Sequence, residues 1–214
     1  MRVILYLILL IALQSCATKK DTRKQLLPDG IQSATEERYE IVGNQKKLLT
    51  KKEMVFTKNG RIKSSKTVDA SGKIVQETKK KLWFVEEIYP DKEKLYRKTR
   101  WKPNQRERIS TYEKKRDKAS ESIYHYNKDG TIAKIVDNLK SFETQYFYYS
   151  DNELTKIVTK DKEGNVIDEV MISCTEKDEK GTCLKQTRTS AQKKYKEEVL
   201  FTPVYGGDRI LLLY

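Results

Sequence analysis

This 214-residue chain predicts an all-β domain, a single antiparallel meander of repeated hairpins that is curved or partly closed. Three observations carry that expectation. YHYNKDGTIAKIV, Tyr124 to Val136, returns without gaps 22 residues later as YFYYSDNELTKIV, Tyr146 to Val158. Turn signals recur at a fixed interval, with Gly60 and Gly72 twelve residues apart and Asn152 and Gly164 again twelve apart. Apolar residues make up only 37% of the chain against 35% charged, so any core is thin, and thirteen Tyr with abundant Thr, Ile and Val favour sheet over bundle.

The N-terminus belongs to no fold. Arg2 supplies a positive start and Val3 to Leu13 form an apolar block, shorter than the roughly 20 residues a membrane-spanning helix needs and suited to a secretory signal. The tetrad Leu13-Gln14-Ser15-Cys16 resembles the lipobox of bacterial lipoproteins. That resemblance implies a signal peptide over residues 1–15, cleavage before Cys16, lipidation of its thiol and acylation of its new amine. Ala17, where Asp would retain such a protein at the inner membrane, implies sorting to the outer membrane. The anchor partner is then the membrane itself, held by several acyl chains at roughly 0.8 kcal/mol per methylene. Residues 16–35 are expected as the acylated Cys and a flexible tether, and residues 36–214 as the β domain. Without residues 1–15 the chain keeps 43 basic against 31 acidic side chains, a net charge of +12.

The first hairpins of the body are FTKNGRIKSS, turning at Gly60, and TVDASGKIVQE, turning at Gly72. LWFVEEIY and KLYRKTRW read as strands with weaker turn signals between them. In the 22-residue repeat Gly130 is replaced by Asn152, and Gly and Asn are the residues that best tolerate positive φ, so both copies ask for a left-handed residue at one place. The Tyr124/Tyr126 alternation puts large side chains on one face and turns His125 and Phe147 to the other. Gly164 marks one more turn in TKDKEGNVIDE. A β-meander of roughly a dozen strands follows, with a helix from Ser190 to Val199 as an alternative to an alternating strand in KYKEEVLF.

The pattern Y-x-Y, then D-G or D-N, an aliphatic residue two positions on and I-V-T before the next turn resembles the YD-repeat, or RHS-type, motif. The resemblance is clear over residues 124–167 and partial over 53–80. It implies extended, strongly curved sheets that build shells or stalks on bacterial surfaces. The enclosure of a toxin known in large members does not transfer to so short a chain, although a partner role to a secreted toxin is one reading it suggests.

Cys174 and Cys183 are the remaining cysteines, an even pair in an oxidising compartment, with Lys180-Gly181 between them as in a hairpin. A disulfide is expected there, against free buried thiols or a redox or metal role. Catalytic chemistry is sparse. The single histidine, His125, excludes a two-His metal site in one chain, and reads as a packing residue rather than a catalytic base. Glu86-Glu87 and Glu197-Glu198 are neighbours that a strand sends to opposite faces. Trp83, Trp101 and Tyr112 suit sugar stacking or plain sheet packing, and Gly206-Gly207 is a turn without the helix of a phosphate loop. No residue is assigned as catalytic, and no cofactor or metal is implied.

The lysines are interspersed with glutamates, which marks a wet sheet face and argues against nucleic acid. Anionic lipid head groups or polysaccharide suit the positive field better. The expected function is therefore an outer-membrane-anchored lipoprotein acting as a non-enzymatic binding or structural module. An envelope enzyme or enzyme inhibitor, with a site assembled from distant strands, is the alternative.

Overall fold

The computed structural model describes residues 21–82, 84–90, 95–102, 106–113 and 117–206. A four-residue helix α1 (Asp21–Lys24) leads into β1 (Ile31–Val42), β2 (Gln45–Phe56), β3 (Ile62–Asp69), β4 (Ile74–Lys80) and β5 (Val85–Ile88). Then follow β6 (Leu95–Lys102), β7 (Arg106–Tyr112), β8 (Lys118–Tyr126), β9 (Ile132–Asp137) and β10 (Thr144–Ser150). The chain ends in β11 (Glu153–Lys160), β12 (Val166–Lys177), β13 (Cys183–Ser190) and β14 (Tyr195–Tyr205). Among the described residues these fourteen strands form one antiparallel sheet. Each pairs with its neighbours in sequence, and β14 pairs back onto β1 from Ile31↔Tyr205 to Glu40↔Glu197. The sheet is a closed up-and-down barrel.

Closure has a local cause. Register shifts interrupt most of the hairpins, for instance at Arg38/Tyr39, Val55/Phe56, His125/Tyr126 and Tyr148/Tyr149. Each bulge bends its strand and adds twist, and closure removes the open edges that invite aggregation. The extended shells or stalks implied by the YD-repeat resemblance are not what forms: the sheet returns to its own first strand.

Five turns share one construction. In each, the residue three positions before a glycine accepts that glycine's N–H on its carbonyl oxygen: Gly60 to Thr57, Gly72 to Asp69, Gly130 to Asn127, Gly164 to Asp161 and Gly181 to Asp178. The same residue's N–H donates to the carbonyl of the residue after the glycine. The glycines lie at φ between +69° and +94°, the left-handed region. Asp69, Asp161 and Asp178 also accept backbone N–H groups on their carboxylates. Asn152 (φ +62°) belongs to a different turn, a tight one in which Asp151 is left-handed too, at +51°.

That difference moves the register of the repeat. Tyr124 pairs with Ile135, whereas Tyr146 pairs with Val158 and leaves Ile157 to Phe147. Since faces alternate with every residue, one step reverses inside and outside. Tyr126 points into the barrel at 5% exposure, while its counterpart Tyr148 stands on the outer wall at 45%. The expectation of one face for both copies is corrected accordingly.

Two more expectations are corrected. The tether foreseen up to residue 35 is structured from Asp21. Thr22 N–H donates to Gly60 O, the Asp21 carboxylate accepts Ile62 N–H, and Leu27 is buried. The helix alternative at Ser190–Val199 is replaced by the end of β13, a turn and β14. Strand pairing with β1 supplies β14 with ladder bonds on its second side.

The apolar core is small and sits where the N-terminal segment meets β1, β2 and β14: Leu27, Ile31, Ala34, Met54, Phe56 and Tyr205, with Ile62 and Phe201 against it. Outside, mid-strand positions carry Glu37, Lys51, Lys79, Lys134 and Lys156. Tyr146 lies between Lys134 and Lys160, at 5.9 and 5.6 Å from its ring centre. A lipid-facing barrel carries an apolar band, and Lys at its midplane costs about 2–4 kcal/mol. This wall is built for water.

Candidate functional site

Successive strands run in opposite directions, so the turns at Gly60, 81–84, Gly130, Asn152 and Gly181 all lie at one end of the barrel, together with residues 21–30 and Gly206. The N-terminal segment fills that end. Lys24 bonds Glu107 on β7 at 3.0 Å and Asp21 at 3.2 Å, and stands over the Tyr126 ring. Tyr126 donates its hydroxyl to the same Glu107 carboxylate. Burial, then the Glu107 charge, pushes the Tyr126 phenol up, so it remains a donor.

Two hollows flank this segment, and Lys24 lines both. The first, about 240 Å³, lies against β1 and β10 to β14. Its walls are mixed: Leu26, Leu27, Phe147, Leu154, Val199 and Phe201 form an apolar part, Lys24, Glu36, Glu153, Lys177 and Arg188 a charged one, and the Cys174–Cys183 disulfide borders it. The second, about 250 Å³, is lined by Ile62, Val85 and Ile109 with Arg61, Lys80, Lys81, Arg97 and Glu107.

Arg188 sets the chemistry of the first hollow. Its Nε donates to Gln186 Oε1 at 2.7 Å, and among the described residues it forms no ion pair. Glu197, opposite it in register, is committed to Arg38 at 2.6 Å. Burial pulls the Arg188 pKa below the ordinary guanidinium value, with Glu36 the strongest charge working against the loss. Arg188 is half-buried by surface area because it faces the hollow. A cation in such a place lacks the full partner that burial calls for. Tyr149, also lining the hollow, is pushed up to about 12 by burial and donates to Ile132 O at 2.9 Å.

The residues singled out from sequence fall in various places. Cys16, the signal segment 1–15 and the lipobox lie outside the described residues, as do Trp83, Gly207 and the Trp101 side chain. Cys174 and Cys183 are bonded, with Cα atoms 5.8 Å apart. They are not cross-strand partners in register: Cys174 pairs with Gln186 and Cys183 with Lys177, because two register shifts in β12 set the strands askew. His125 sits on the outer wall between Arg106 and Lys134, and burial followed by these two cations lowers its pKa. Glu87 is buried beside Arg97, whereas Glu86 pairs with Lys81. Tyr112 stacks on Tyr96 at 5.3 Å with Lys98 above both, so that ring face is occupied. Gly206 N–H donates to Gly30 O.

Nothing in the local sequence marks Arg188 or Glu107 as inward-facing, and Lys24, by sequence one of the lysines beside the lipid head groups, instead reaches Glu107 inside the barrel. A basic residue in a strand as polar as CLKQTRTS reads as a wet-face residue. Only the parity of β13 against the closed wall turns it inward.

No protein-family model matches the chain, and no curated protein does. Among solved structures it is similar to a LolA superfamily protein from Nitrosomonas europaea, with a TM-score of 0.41 and 8% identity over 88% of this chain and 90% of that one. A porin-like protein from Bacteroides uniformis gives 0.37 and 13% over 73% and 55%. A DUF1329 family protein from Desulfovibrio piger gives 0.35 and 9% over 85% and 88%. At these values no function passes from those proteins to this chain.

Proposed function

We propose that this protein is a non-enzymatic lipoprotein of the outer membrane, anchored through Cys16, whose barrel holds a small anionic amphiphile. The observation that carries the reading is Arg188: a guanidinium that forms no ion pair among the described residues, facing a hollow where an apolar patch of Leu, Phe and Val adjoins polar groups that include Glu36, Lys24 and Lys177. An acyl or similar apolar body suits the patch, and a carboxylate or phosphate would meet the arginine in a charge-assisted pair. The water-facing outer wall is consistent with a protein held at the membrane by its lipid rather than by its strands.

The test uses dodecanoate and dodecanol as probes of the delipidated protein. Dodecanoate should bind more tightly than dodecanol, and Arg188→Met should remove that preference. The loss of one charged hydrogen bond is roughly 1.5–3 kcal/mol, or about 10- to 100-fold. An equal affinity of wild type and Arg188→Met for dodecanoate, with both folded, would overturn the ligand assignment. Mass spectrometry of the mature N-terminus tests the anchor separately: it should show an acylated Cys16, and an unmodified terminus would end that part of the reading.

A further inference from the structure

We infer that the barrel end holding residues 21–30 rests on an anionic lipid bilayer, with Leu82 entering the interface among the lysines around it. The inference depends on the acylation of Cys16 proposed above. Cys16 is five residues from Asp21, a span of at most roughly 18 Å when fully extended. Asp21 is fixed to the barrel through Ile62 N–H, and Thr22 through Gly60 O. This end therefore stays within about 18 Å of the anchor. β1 and β2 contain twelve residues each, so the opposite end lies up to about 40 Å further along the strands.

The rim near the anchor has the composition of a membrane interface. Asp21 and Leu82 line the same hollow, so the chain enters beside the 81–84 turn. Leu82 is 85% exposed, and Phe84 beside it is exposed as well. Lys80 and Lys81, which line the same hollow as Leu82 and Phe84, are exposed, as are Lys79 on β4 and Lys58 in the Gly60 turn at the same end. Lys58 and Lys80 form no ion pair among the described residues, and Lys79 and Lys81 meet Glu77 and Glu86 only at 3.6 Å. An apolar tip ringed by snorkelling lysines gains from both the acyl boundary and the anionic head groups. The opposite rim also exposes Val42, Phe142 and the adjacent Val166 and Ile167, but a barrel length from the anchor. Both hollows are bordered at the anchored end by turn residues, Asn152 and Gly181 for one and Leu82 for the other. A ligand would then pass between bilayer and barrel at the point of contact.

The experiment uses the acylated full chain in vesicles of phosphatidylcholine with phosphatidylglycerol. A nitroxide is placed by Asn59→Cys in the turn next to Leu82, or by Glu163→Cys at the opposite end. With Cys16 acylated and Cys174 bonded to Cys183, only the introduced thiol reacts. The label at 59 should be relaxed more by lipid-soluble oxygen than by a water-soluble nickel chelate, and the label at 163 the reverse. Lys80→Glu with Lys81→Glu should return the label at 59 to water while the protein still floats with the vesicles. Floating protein with both labels equally in water, or with 163 the deeper, would overturn the inference and leave the anchor standing. Protein that does not float would overturn the anchor and the inference together.

Discussion

Tyr124 and Tyr146, equivalent in the 22-residue repeat, stand on opposite faces of the barrel wall. Tyr124 shares the inner face with Ile135, and Tyr146 the outer face with Lys134. Two copies of one repeat therefore meet different surroundings, and the difference originates in the turn within each hairpin.

Substitution one residue pair further along makes this measurable. Tyr126→Ala removes a ring that is 5% exposed and bonded to Glu107, and should destabilise by about 3–5 kcal/mol. Tyr148→Ala, at a site 45% exposed beneath Lys156, should stay within about 1 kcal/mol. Urea denaturation of the two variants separates the cases, and equal losses would contradict the reversed faces.

The turns invite a second comparison. Gly130→Val places a β-branched residue at φ +94° and should cost about 1–3 kcal/mol. Asn152→Gly relaxes a non-glycine residue at +62° and should be neutral or mildly stabilising. Thr131→Val is not mild either, because the Thr131 hydroxyl is buried and bonds both Asp129 and Asn127. A thermal series in which Gly130→Val matches wild type would place the turn elsewhere.

Reduction of the Cys174–Cys183 bond should lower stability by roughly 2–3 kcal/mol for so short a loop. Alkylation of denatured protein should label neither cysteine before reduction and both after it. Because the bond borders the first hollow, the reduced protein should also bind dodecanoate more weakly. Labelling without reductant would refute the bridge.

Acid should weaken the barrel at a defined side chain. Glu121, 4% exposed, is held down to about 2 by Lys118 first, then Asn138, Ser110 and Arg108. A depressed carboxylate contributes stability above its unfolded pKa of 4.5, and that contribution is lost as pH falls from there through about 2. Glu121→Gln should therefore cost a few kcal/mol, roughly 2–3, at pH 7 and progressively less below pH 4.5. A cost that is unchanged down to pH 2 would show that the carboxylate's charge is not what stabilises the fold there.

Local signals determined much of this molecule. Strand alternation and the left-handed residues at Gly60, Gly72, Gly130, Asn152 and Gly164 are properties of a few consecutive residues, and they specify hairpins before any packing exists. A further signal stood in plain view: TKNGR, DASGK, NKDGT, DKEGN and DEKGT all carry a hydrogen-bonding side chain three positions before the glycine, and all form one turn. The tertiary structure alone decided what faces inward. Closure depends on bulges at places such as Tyr148/Tyr149, and each bulge exchanges inside for outside beyond it without changing the alternation that a sequence displays. The inward aim of Arg188, the reach of Lys24 across the barrel to Glu107, and the folding of residues 21–30 into the barrel's end all follow from that accumulated parity and from contacts between residues as distant in sequence as Gly30 and Gly206. No local pattern records them, because each is fixed only when β14 meets β1.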